Sequence, residues 1–507
     1  MNGNGLLTLT TFFPVLGVLL ILALKPIFDR ESDQLIKRIA IGTSAITFIL
    51  SLVVLAAYNS GTSGLQLIDR AEWIDTLGIQ YFLAVDGISI LMLLLTTFIT
   101  PLAILSSWTS IETQVKQYYI FMLLLETGMI GVFLAQDLFL FYIFWEFTLV
   151  PMYFLIGIWG GGRRVYASIK FFLYTMAGSL LMLLAILYMG LTNGTFSVPD
   201  LIAGREAFAA LEVQRWLFLG FAIAFAIKVP IFPFHSWLPD AHTEAPTAGS
   251  IILAGVLLKM GTYGFIRFNL PLFPEASAEY APLIATLAII GIIYGAIVSF
   301  AQKDVKKLVA YSSVSHLGFV MLGIFSLNET GIQGAILQGV NHGLSTGALF
   351  FLVGILYEQR HTREMSAFGG VWRAMPIFSA LSLIVVLSSM GLPGLNGFIG
   401  EFTILLGSMG AEHLGPNPWI YTAFATTGVI LAAVYLLWMF QSVFMGPLDK
   451  DENRALRDVN GRELAVFIAF LIFIFWIGIG PSLYFGLMDS SVASLVEALG
   501  GTVAALN

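Results

Sequence analysis

The sequence contains no cysteine in 507 residues. Disulfides, thiolate metal sites and thiol nucleophiles are therefore excluded, while the redox compartment is left open. Charge is also scarce. Asp, Glu, Lys and Arg make up 11% of the chain, where soluble domains carry about a quarter. No hydrophilic stretch is long enough for an extramembrane domain; the longest inside connection is at about 446–463. No basic segment precedes the first apolar run and no small-residue cleavage site follows it, so that run reads as a retained span. A glycine-rich stretch exists, Gly160-Gly161-Gly162-Arg163-Arg164, but it follows no strand and lacks phosphate-loop spacing. Nucleotide binding there is not expected. The net charge of −7 is spread over loops and marks no acidic or basic partner.

What the chain does have is apolar runs. Runs long enough to span about 30 Å fall at 6–25, 39–58, 82–107, 118–135, 138–159, 169–191, 216–238, 248–270, 281–301, 307–326, 332–357, 375–409, 418–445 and 464–487. The fold class is thus all-α polytopic membrane protein, with about fourteen transmembrane helices. Charge placement tests the count, because cytoplasmic loops collect lysine and arginine. With the N-terminus outside, the inside loops hold 18 of the 24 basic residues, from Lys25 and Arg30 to Arg457 and Arg462. The outside segments and their helix ends hold Arg70, Arg205, Arg215 and Arg267. Both termini are then expected outside. The inside connection Asp240-Ala-His242-Thr-Glu244-Ala-Pro246-Thr has no lysine or arginine and is expected to be packed in protein. The tail after the fourteenth run is short.

The remaining two basic residues are the costly ones. Lys228 and Lys259 sit near the middle of the seventh and eighth runs. A lysine at the bilayer centre costs about 2.5–3.5 kcal/mol on the milder insertion scales. The plain alternative is a snorkelling side chain, which works near a helix end; both lysines lie some ten or more residues from either end. The seventh run is also interrupted, by Lys228-Val-Pro230-Ile-Phe-Pro233. The twelfth contains Gly391-Leu-Pro393-Gly394 and then Glu401.

Acids lie within spans as well: Glu126, Glu146 and Glu401. Asp86 and Asp137 sit at helix starts, where a capping role is the simpler reading. Glu146 has no neighbour in sequence to neutralise it, and Lys228 is the natural partner from another helix. His316 and His342 add groups that titrate near neutral pH; each is also compatible with an interior histidine that is merely hydrogen-bonded. A buried ion pair can serve helix packing alone. The functional reading is proton handling, since moving a carboxylate relative to a desolvated lysine switches the lysine between holding and releasing a proton.

The five runs 118–270 and the five runs 281–445 form two sets, flanked by an N-terminal part (1–117) and a C-terminal part (446–507). An odd helix count gives the sets opposite orientation, and the fourth member of each is the interrupted one. Paired interruptions in inverted halves point to a transport path.

Five segments carry a resemblance: Phe144-Trp-Glu146-Phe-Thr-Leu-Val-Pro151; the run from Lys228 to Pro246; Leu257-Leu-Lys259-Met-Gly-Thr-Tyr-Gly; the run from Asp304 to His316; and Gly394-Leu-Asn-Gly-Phe-Ile-Gly-Glu401. In these the chain resembles the antiporter-like subunits of respiratory complex I, NADH–quinone oxidoreductase. The resemblance implies a proton-translocating subunit of the membrane arm of a bacterial inner membrane. It implies a paired charge of Glu146 and Lys228 in a first half-channel, a central proton site at Lys259, an exit half-channel at Glu401, and His316 and His342 as the link. It implies the two inverted five-helix repeats with breaks in helices 7 and 12. It implies no cofactor in this chain, with flavin, iron–sulfur clusters and quinone in partner subunits, and L- and N-type antiporter-like subunits as neighbours. Alternatives are a subunit of a multi-subunit sodium/proton antiporter, a ferredoxin-fed photosynthetic relative, and a membrane scaffold with inert ion pairs.

Overall fold

The computed structural model describes residues 5–24 and 30–504. Lys25 and the side chain of Arg30, both assigned to an inside loop above, lie outside the described residues. The helices used below are α1 (Leu6–Ala23), α2 (Arg30–Ala57), α3 (Ile90–Ser106), α4 (Val115–Leu134), α5 (Leu138–Trp159), α6 (Arg164–Asn193), α7 (Leu211–Lys228) and α8 (Trp237–Glu244). Then come α9 (Thr247–Leu272), α10 (Pro274–Phe300), α11 (Val305–Ile324), α12 (Glu329–Arg360), α13 (Pro376–Ser389), α14 (Asn396–Met409), α15 (Trp419–Phe444), α16 (Gly461–Ile479) and α17 (Ser482–Ala504). Among the described residues, eleven helices are long and apolar enough to cross a membrane, and α3 and α13 are shorter apolar helices.

Burial sorts these helices into a centre and a jacket. The apolar windows of α9 and α12 are 100% buried and that of α11 is 89% buried, while those of α1, α2, α6, α15 and α16 are 33–39% buried. The jacket turns leucine and phenylalanine outward, as Leu173, Leu180, Leu184 and Leu191 on α6 and Phe424 and Ile430 on α15 do. Such a surface suits lipid, where a charged side chain is expensive. The inner helices α9, α11 and α12 pack on one another and carry the lysine and both histidines singled out above.

Two helices stop at turns built from proline and glycine. α7 ends at Lys228 because Pro230 has no N–H to donate and its ring clashes with the preceding turn. The chain turns through 229–236 before α8, and the Trp237 indole donates to the Ile227 oxygen at 2.8 Å, satisfying a carbonyl that the interruption frees. α13 ends at Ser389, and Gly391 (φ 80°) and Gly394 (φ 91°) take left-handed conformations before α14 starts.

The structure differs from the sequence reading in three places. The run at 82–107 is not one helix: residues 66–74 and 79–85 form an antiparallel hairpin, β1 (Gln66–Ile74) and β2 (Ile79–Val85), and the helix begins only at Ile90. The chain is therefore mostly, not wholly, helical. Asp86 sets that boundary, its Oδ1 accepting from the backbone N–H groups of Ile88 and Ser89 at 3.0 and 3.1 Å. Second, the tail is a further helix, α17, which packs against α3, α10 and α12 and accepts Tyr58 Oη on the Leu487 oxygen at 3.0 Å. Third, α9 contains two π-helical turns, Leu253–Leu257 and Phe265–Asn269, one on each side of the segment that bears Lys259. Two expectations are met: Asp137 caps α5 through Phe139 and Leu140 N–H, and the stretch from Ala241 to Ala245 is buried.

Candidate functional site

Lys259 is fully buried on α9. Its Nζ lies 2.6 Å from His342 Nδ1 on α12 and donates to the Ala254 backbone oxygen. Ala254 belongs to the first π-turn, whose altered register places an oxygen beside an amine five residues away. His342 Nε2 on the far side of the ring has no hydrogen-bond partner.

The second cluster joins three helices. His316 Nδ1 on α11 is 2.7 Å from Glu401 Oε1 on α14, and the Gln338 amide on α12 donates to the same oxygen at 3.0 Å. Glu401 Oε2 has no partner. The Tyr435 hydroxyl on α15 lies 3.1 Å from His316 Nε2. The His316 and His342 ring centroids are 6.1 Å apart, too far for a direct hydrogen bond between the rings. A small cavity of about 10 Å³ lies against both histidines, Gln338, Asn341, Ser345 and Ser388. That is room for one water, in a polar setting that could hold it.

Around this cavity the polar groups form a network. Asn341 donates to the Asn396 backbone oxygen at 2.7 Å, and Ser345 and Ser388 hydroxyls meet at 2.7 Å. Asn396 is the first residue of α14. The start of the helix bearing Glu401 is thus tied to α12 and to the end of α13.

The first expected pair is not closed. Lys228 is buried, yet its Nζ makes no hydrogen bond and no ion pair within 4.0 Å. Glu146 is near enough to act on it electrostatically but does not touch it. The ammonium instead faces aromatic rings, 5.2 Å from the Trp145 centroid and 5.8 Å from that of Phe171. The direct Glu146–Lys228 contact expected from the sequence is corrected accordingly: Glu146 is only half-buried on α5 and lies within reach of Tyr142, one turn earlier. Glu126 on α4 is fully buried, and neither carboxyl oxygen has a partner.

A cavity of about 460 Å³ opens at the end of the bundle that holds the glycine-rich loop. Glu112, Glu244, Lys306, Glu358 and Arg363 line it. Lys306, assigned to a loop above, is in fact buried and donates to the Ala245 oxygen. The glycine loop closes over Glu244: Gly161 N–H donates to its backbone oxygen at 2.8 Å and Arg163 N–H to Oε2 at 2.8 Å. A Cβ at Gly161 would come within 2.7 Å of that carboxylate, so glycine here serves close approach. Beside this cavity His242 is fully buried against Phe350, with both ring nitrogens unpartnered.

Sequence reasoning missed Tyr435, Gln338, Lys306 and the Arg267–Asp86 pair. Arg267 and Asp86 are both buried and meet at 2.5 Å. The one signal available was a basic residue near the end of an apolar run with an acid at the start of another.

The comparisons with known proteins agree with this architecture. The family profile "NADH:quinone oxidoreductase/Mrp antiporter, TM" matches residues 135–432, and "NADH-ubiquinone oxidoreductase chain 4, amino terminus" matches 16–132. NADH-quinone oxidoreductase subunit M of Rhodobacter capsulatus is 43% identical over 504 residues, covering 97% of each chain. A chain of the respiratory complex I of Thermus thermophilus superposes with a TM-score of 0.86 at 33% identity, over 97% of this chain and 99% of that one. A chain of the Mrp complex of Dietzia sp. shares the fold, with a TM-score of 0.81 at 23% identity, over 98% of this chain and 52% of that one. The chain therefore belongs to the antiporter-like M-subunit family of the membrane arm of NADH–quinone oxidoreductase.

Proposed function

We propose that this chain relays protons through the membrane arm, using Lys228, Lys259, His342, His316 and Glu401 in that spatial order, with Glu146 biasing Lys228. The observation that carries the reading is the pair of buried contacts Lys259–His342 and His316–Glu401, facing one another across a cavity of single-water size. A proton passes from Lys259 Nζ to His342 Nδ1, and the ring releases one from Nε2 towards the cavity and the His316–Glu401 pair. Each group is reprotonated in turn, so no proton is created or lost. The open Glu146–Lys228 arrangement suits a charge pair that closes in one part of the cycle and opens in another. The polar cavity at Glu244 and Lys306 is the inlet on the side where the basic loops lie.

The finer architecture belongs to the same proposal. α8 continues the crossing that α7 begins, and α14 that of α13; with α3 these bring the crossings to fourteen, in two inverted five-helix repeats. Both termini face the outer side of a bacterial inner membrane. Flavin, iron–sulfur and quinone chemistry reside in partner subunits, and L- and N-type antiporter-like subunits are the neighbours.

The test is proton transport by the purified complex in vesicles. Lys259→Met should leave the complex assembled and cut coupled proton translocation at least tenfold. An unchanged ratio of protons to electrons in that variant, at normal assembly, would sink the relay. The shared fold with a chain of the Mrp complex favours one second reading, a sodium/proton antiporter subunit. Purifying the native assembly by a tag on this chain separates them: flavin, redox subunits and NADH oxidation support the first, and sodium/proton exchange without them supports the second.

A further inference from the structure

We infer that Tyr435 is a positioning residue whose hydroxyl rotates to let His316 hold either one ring proton or two without the ring moving. The inference rests on the relay proposed above. Tyr435 is fully buried on α15; its hydroxyl lies 3.1 Å from His316 Nε2 on α11, and Ser312, one turn earlier on that helix, is near enough to act on it. His316 Nδ1 faces Glu401 Oε1 at 2.7 Å. An ionised carboxylate only accepts, so Nδ1 carries the hydrogen in that state. Nε2 of the neutral ring is then an acceptor, and Tyr435 O–H donates to it.

When a second proton forms an N–H bond at Nε2, that position becomes a donor. Tyr435 must then accept, and its own hydrogen has to point elsewhere. Ser312 is placed for this. Its hydroxyl hydrogen is committed to the Val309 oxygen at 2.7 Å, leaving a lone pair to accept from Tyr435. Every buried polar atom of the trio is thus paired in both protonation states, which is the condition for a low-cost switch in an interior where unmade hydrogen bonds are expensive. Tyr435 keeps its own proton throughout; it turns and does not transfer.

Charged and titratable groups reach α11 from several helices, and α8, which packs on it, carries Asp240, His242 and Glu244. Glu401 on α14 faces Nδ1, and Gln338 on α12 donates to the same Glu401 oxygen. His342, with Lys259 behind it, faces the ring from α12 and α9. From α10, the Ile292 backbone oxygen accepts from Ser315. Phenylalanine at 435 would keep the ring packing and remove only the rotor. It would strand an N–H on the doubly protonated imidazole, a larger loss than the stranded lone pair of the neutral ring.

The experiment uses the intact complex in vesicles and reads NADH-driven proton transport against pH for Tyr435→Phe, Ser312→Ala and His316→Gln. Tyr435→Phe should move the alkaline limb to lower pH by about one unit, with the thermal midpoint of the complex unchanged. Ser312→Ala, which removes a hydroxyl that is not itself a hydrogen-bond partner of the His316 ring, should move it the same way by less. His316→Gln should abolish coupling. Unmoved pH profiles in both Tyr435→Phe and Ser312→Ala, with His316→Gln inactive, overturn the rotor and leave the relay standing. Normal transport in His316→Gln overturns the relay itself. Should Tyr435→Phe fail to assemble, an unmoved profile in Ser312→Ala alone overturns the rotor.

Discussion

Asp86 and Arg267 carry the clearest energetic consequence of any two residues in the chain. Both are buried, and removing one partner leaves the other charge uncompensated, at a cost of about 3–5 kcal/mol. Asp86→Asn is therefore expected to lower the abundance and thermal midpoint of the assembled complex, read by differential scanning fluorimetry in detergent. Glu126 should behave in the opposite way. Neither oxygen is paired, so Glu126→Met, close in volume, removes a buried polar group and gives up no hydrogen bond. Its thermal midpoint is expected to hold or rise; a clear fall would mean that the carboxyl has a partner. Lys228, Lys259, Glu401, His316 and His342 were legible in the sequence because an ionisable side chain stands out within an apolar run. Tyr435 was not, since a tyrosine in an apolar helix reads as one more aromatic. The Glu146–Lys228 contact was over-read: sequence locates two opposite charges but not the rotation of each about its helix axis.

At the scale of elements, close approach between helices fixes where the ionisable groups stand. A Cβ at Gly261, two residues after Lys259, would meet the Phe225 oxygen at 2.8 Å and Val229 Cγ2 at 2.7 Å, so α9 and α7 touch backbone to backbone there. Gly261→Ala is expected to destabilise the complex and to depress proton transport, because it wedges apart the two lysine helices. Gly162→Ala, with open space around it, is the control and should change neither. The helix ends at Lys228 and Ser389 were legible, because proline and glycine state their own steric rules. The two π-turns were not; they depend on tertiary packing and have no residue signature of their own. The hairpin escaped for another reason. β2 is apolar enough to merge with the run that follows it, and only the Asp86 cap divides the two.

For the whole molecule, the missing cysteines are an experimental opening. Single cysteines at exposed Glu72, on the hairpin, and exposed Asp451, before α16, should react with a membrane-impermeant maleimide from opposite faces of oriented vesicles. Labelling of both from one face would refute the proposed topology. The long apolar runs made the multi-pass, mostly helical plan readable, because hydrocarbon thickness acts on the whole chain at once. Which helices are central was not readable, since an apolar helix looks alike against lipid and against protein. That division has a consequence of its own. The helices that carry Lys259, His316 and His342 are wrapped by others that turn apolar side chains outward, much as a core is sheathed. Changes in bilayer thickness or fatty-acid saturation then press on the sheath, and such membrane remodelling should alter the lifetime of the complex well before it alters the rate of proton passage.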